Sequence, residues 1–72
     1  MILNAFDKVT VPQPFDEIFR GQVVGIKSEK NNTLTYIIVQ RKKNWGGYIK
    51  GAKVIRINSI DLEKINLKLH AI

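Results

Sequence analysis

Four short runs of β-branched residues, cut apart by proline, asparagine and glycine, set what this chain can fold into. They are Val9–Val11, Val23–Ile26, Leu34–Gln40 and Val54–Ile57. Alternation of apolar and polar residues over such lengths is the mark of strands. The one stretch with helix-like spacing, Ile60–Leu69, is weakened by its β-branched residues. The expected class is therefore all-β.

The punctuation gives the strand limits. Pro12 and Pro14 stop a first strand, Asp7–Val11, because proline removes a ladder donor. The second strand is Arg20–Ser28, and Gly25 inside it predicts a bulge or bend. Glu29–Thr33 reads as a turn, since Asn31 and Asn32 tolerate positive φ. Leu34–Gln40 is a central strand that is apolar on both faces. Leu34, Tyr36 and Ile38 share one face, where Tyr36 reads as core. Arg41–Gly51 reads as a polar, glycine-containing connection, and Lys53–Asn58 as the fourth strand. Ser59-Ile60-Asp61 reads as a single 3₁₀ turn and Leu62–Ile65 as a short fifth strand, with Leu67, Leu69 and Ala71 continuing its alternation.

Seventy-two residues make one domain, 1–72, in which 1–6 and 66–72 read as flexible or oligomerising tails. There is no cysteine and one histidine, His70. Thiolate chemistry and the usual zinc sites are thereby excluded, and no cofactor is expected. Met1–Phe6 lacks the basic and long apolar regions of a signal peptide, and no apolar run approaches the ~20 residues of a membrane span. A cytoplasmic protein is expected.

Charge narrows the partner. Twelve Lys and Arg stand against six Asp and Glu. Between Arg20 and Arg56, nine basic residues face Glu29 alone, so this stretch carries +8 and the two ends together −2. Clustered positive charge captures polyanions, and it also keeps a small domain soluble.

Five short strands with a turn before the last resemble the SH3-like barrels. Two segments are more specific. Arg20-Gly21-Gln22-Val23-Val24-Gly25 resembles the Gly-Gln-Ile-Val-Gly strand of the plasmid-borne type II dihydrofolate reductases, and Leu62-Glu63-Lys64-Ile65 is similar to their closing Leu-Glu-Arg-Ile. The resemblance spans Arg20 to Ile65 and implies a five-stranded SH3-like barrel. It does not imply the activity. The family's Val-Gln-Ile-Tyr run, which holds folate and nicotinamide, falls on Val54-Ile55-Arg56-Ile57, where only the valine is kept. An enzyme of that kind is not expected, because a cofactor amide would lose its hydrogen-bond partners.

The candidate site is the basic connection. Arg41, Lys42, Lys43 and Lys50 flank Trp45 and Tyr48, with Gly46-Gly47 between the two rings. Cations take phosphates, and flat rings stack on unpaired bases. Lys27, Lys53 and Arg56 on neighbouring strands would extend the patch. The other reading has Trp45 and Tyr48 fold back to cover the barrel's open end. Asp16-Glu17 is a carboxylate pair without a His partner, and Ser28 and Ser59 lack a neighbouring base. The expected function is non-catalytic binding of DNA or RNA. The competing one is an assembly module that engages a protein or a second copy through Ile65–Ile72.

Overall fold

The computed structural model describes residues 2–12, 18–65 and 67–70. Five strands form one antiparallel sheet: β1 (Lys8–Pro12), β2 (Ile18–Ser28), β3 (Leu34–Asn44), β4 (Gly47–Asn58) and β5 (Lys68–His70). Their order is β4-β3-β2-β1-β5, a four-strand meander with the last strand returned beside the first. The all-β class and the strand number are as expected. The sheet is open among the described residues, with β4 and β5 at its edges.

The core lies on one face. Val9 and Val11 of β1, Phe19 and Val23 of β2, and Tyr36 and Ile38 of β3 are buried there, as the period of two requires. Ile55 and Ile57 of β4 pack against them from the same side. Ahead of β1, Leu3 also enters this core and donates its amide to the Tyr36 hydroxyl at 3.4 Å. Leu62 and Leu67 close it from the other end of the chain.

Gly25 marks a bulge, as its position in the strand implied. Val23 pairs with Ile38 and Gly25 with Ile37, which leaves Val24 as the extra residue. The β2–β3 turn contains a short 3₁₀ segment, Lys30–Asn32, with Asn31 and Asn32 at φ 59° and 57°. Asparagine is suited to that left-handed conformation.

Three expectations are corrected. Arg41–Gly51 is not a loose connection: β3 and β4 run on as a two-stranded ribbon, paired from Arg41↔Lys50 to Asn44↔Gly47. Its residues alternate between two solvated faces, so no apolar rhythm announces it. The fifth strand is Lys68–His70 rather than Leu62–Ile65, and it pairs with β1 of its own chain. The helical turn before it, α1 (Ser59–Leu62), lies where a turn was expected but is α rather than 3₁₀. Asp16 and Glu17 lie outside the described residues.

Asn58 holds α1 to the β2–β3 turn. Its side-chain oxygen accepts the Ile60 amide at 3.0 Å, and its nitrogen donates to the Thr33 hydroxyl at 3.3 Å. Ser59 supports the same corner by accepting the Leu34 amide at 3.1 Å, a structural use of its hydroxyl. Asn58→Ala is expected to cost about 1 kcal/mol, read as a lower urea midpoint at unchanged slope. An unchanged midpoint would mean that the cap contributes nothing.

Candidate nucleic-acid interface

The ribbon projects beyond the five-stranded sheet. The pairing of β2 with β3 ends at Gly21↔Gln40, so the backbone ladder of Arg41–Asn44 runs only to their partners in β4. A two-stranded ribbon in water is marginal by itself. Side chains at its root tie it down. Arg20 donates from Nη1 to the Tyr48 hydroxyl at 2.7 Å. The Arg41 guanidinium lies 5.0 Å from the Tyr48 ring centroid, within cation–π range. Tyr48 is thus bracketed by two arginines from two different strands.

At the tip, Trp45 and Gly46 link the strands. Gly47 has φ +127°, a conformation that favours glycine. Trp45 is fully exposed, at 104% of its reference area. It covers no part of the core, and neither does Tyr48, which is exposed. The lid reading of these rings is corrected: the ribbon's pairing carries both out beyond the sheet.

The register shows which cations stand together. Cross-strand partners share a face. Thr10 lies opposite Arg20 and Lys68, Lys8 opposite Gln22, and Gln22 opposite Val39. Val39, Arg41 and Lys43 alternate onto that same face, where Lys50 and Tyr48 are the partners of Arg41 and Lys43. The face turned away from the core therefore carries Arg41, Lys43, Lys50 and Tyr48 on the ribbon. They are continuous with Arg20 and Lys8 on the sheet.

The other predicted residues are more scattered. Lys42 pairs with Ile49 on the opposite face of the ribbon. Lys53 lies in an irregular stretch, where Gln40 alone stands opposite Gly51, Ala52 and Lys53. Arg56, opposite Ile37, is four residues along β3 from Arg41, about 13 Å. Lys27 is farther still, opposite Thr35, and is 4.0 Å from the Glu29 carboxylate. That exposed pair contributes little.

Arg20 and Lys8 were absent from the sequence-based site. Each alternates with core residues of its own strand, which places it on the outer face, but its place beside Tyr48 of β4 depends on how the strands are ordered in the sheet. With Val9, Gly21, Arg41 and Tyr48 they line a notch of about 280 Å³. Among the described residues, the one ion pair is Lys27–Glu29, so no described carboxylate pairs with Lys8, Arg20 or Arg41.

No protein-family model, curated protein or solved structure matches this chain. No described helix is long and apolar enough to cross a membrane.

Proposed function

We propose that this chain is a small binding module, without catalytic chemistry of its own, that takes nucleic acid along the ribbon and the outer face of its sheet. The observation that carries this reading is the tip: a fully exposed tryptophan on a ribbon whose charged side chains are all cations. Arg41, Lys43 and Lys50 would contact phosphates, while Trp45 stacks on an unpaired base. Tyr48 already has Arg41 over its ring, so Trp45 is the better platform. Recognition would be weakly sequence-selective, because stacking and phosphate contacts carry little base information. The scaffold is read as SH3-like, supported by the meander, the returning last strand and the helical turn ahead of it.

A single strand is the better fit to Trp45. A duplex shows base faces only after unstacking, which costs a few kcal/mol per step, whereas a single strand offers them freely. Trp45 is the sole tryptophan, so its fluorescence reports on the tip alone. Oligothymidylate is expected to quench it. Trp45→Ala should weaken binding about tenfold, the scale of one base–aromatic stack. Unquenched fluorescence at saturating oligonucleotide would remove Trp45 from the interface.

A second reading, docking of a protein strand, is favoured by the edge position of β5. It predicts a larger particle on size-exclusion chromatography without nucleic acid.

A further inference from the structure

We propose that the notch at the root of the ribbon binds a phosphate monoester. The inference deepens the nucleic-acid reading and rests on it for the source of the phosphate, although the notch's chemistry is local.

Two arginines and a lysine converge there from three strands: Arg20 from β2, Arg41 from β3 and Lys8 from β1. Bringing like charges together is unfavourable, and no carboxylate among the described residues offsets it. An anion would turn that repulsion into attraction. The forks of Arg20 and Arg41 are already oriented, one by its 2.7 Å bond to the Tyr48 hydroxyl and the other by the Tyr48 ring. A held guanidinium loses less freedom per bond formed, and its planar donors match phosphate oxygens.

Charge selects the kind of phosphate. A diester within a strand brings a single negative charge. A monoester brings −1.5 to −2 at neutral pH and three terminal oxygens. Three cations that no described carboxylate pairs with are better matched by the latter. The notch of about 280 Å³ admits the group and leaves what it is attached to in solvent. Two sources carry this chemistry: the phosphorylated end of a strand, and free phosphate.

The test uses the whole chain and three probes: inorganic phosphate, hexathymidylate with a 5′-phosphate, and the same oligonucleotide with a 5′-hydroxyl. Inorganic phosphate should raise Tm relative to chloride at matched ionic strength. Arg20→Gln and Arg41→Gln, both on the exposed side of the sheet, should abolish the rise. Tyr48→Phe keeps the ring under Arg41 but frees Arg20, and should reduce it. The 5′-phosphate should tighten oligonucleotide binding about tenfold, on the scale of one charge-assisted hydrogen bond, and Arg20→Gln should erase that gain. A Tm rise with equal binding of the two oligonucleotides supports the notch and assigns free phosphate as its ligand. A rise that persists in both arginine variants is a general salt effect and overturns the proposal. So does the absence of any rise together with equal, salt-sensitive binding of both oligonucleotides, an outcome that leaves the nucleic-acid reading standing. Stabilisation by phosphate with no oligonucleotide binding would support the notch and overturn the nucleic-acid reading.

Discussion

Gly21→Ala is expected to destabilise the domain by about 3 kcal/mol, or roughly 15 °C in Tm for a chain of this length. Gly21 is buried in β2, between Val9 of β1 and Gln40 of β3. A Cβ there would meet the Ile38 Cγ2 methyl at less than contact distance, the Phe19 ring at 2.9 Å and the Val39 carbonyl oxygen at 3.0 Å. Ile38 is fully buried and Phe19 nearly so, so neither can move aside cheaply. The backbone oxygen is fixed by the sheet. Gly46→Ala is the matched control, because a Cβ there meets nothing within 4 Å. Thermal melts of the two variants, followed by circular dichroism, make the comparison. Equal Tm values would mean that β2 and β3 do not approach at Gly21 as closely as described.

The second large effect concerns salt. Five cations, Lys8, Arg20, Arg41, Lys43 and Lys50, lie along one face from the sheet to the ribbon. For a single strand, log K falls with log salt at a slope of about −0.7 per phosphate contact, or about −3.5 for five. Affinity for oligothymidylate is therefore expected to drop roughly a hundredfold between 50 and 200 mM salt. Replacing Lys43 or Lys50 by glutamine should flatten the slope by about 0.7 each. Trp45→Ala should lower affinity and leave the slope unchanged, since stacking releases no counterions. Fluorescence anisotropy across a salt series measures both quantities. Salt-independent binding would rule out the phosphate-contact mechanism.

The elements legible in the sequence were two strands with a buried face and one turn with its own local chemistry. β3 through Gln40, β2 with its Gly25 bulge, and the asparagine turn each follow from local residue chemistry. The ribbon did not, because both of its faces are solvated: Arg41-Lys42-Lys43-Asn44 has no apolar residue, and the exposed Tyr48-Ile49 pair is too short to set a period. β5 was misplaced for a related reason. Ile65 and Leu67 turn toward the core from the exit of a helical turn, and their two-residue spacing imitates a strand, while Leu62 joins them from within the turn. The site was half legible. A cluster of bases around two rings can be read directly, whereas the part played by Arg20 and Lys8 depends on which strands lie side by side.

The order of the strands also bears on how the chain acquires its shape. β2, β3 and β4 are joined by tight turns, so their pairings can zip from neighbouring residues. β5 must instead find β1 across a loop of about sixty residues, and its three ladder pairs offset little of that closure entropy. It follows that the hairpins form first and that β5 docks last, as a latch carrying Leu67 onto the core. The two ends of the chain, mutually dependent for burial, would then be the first to part when the domain breathes.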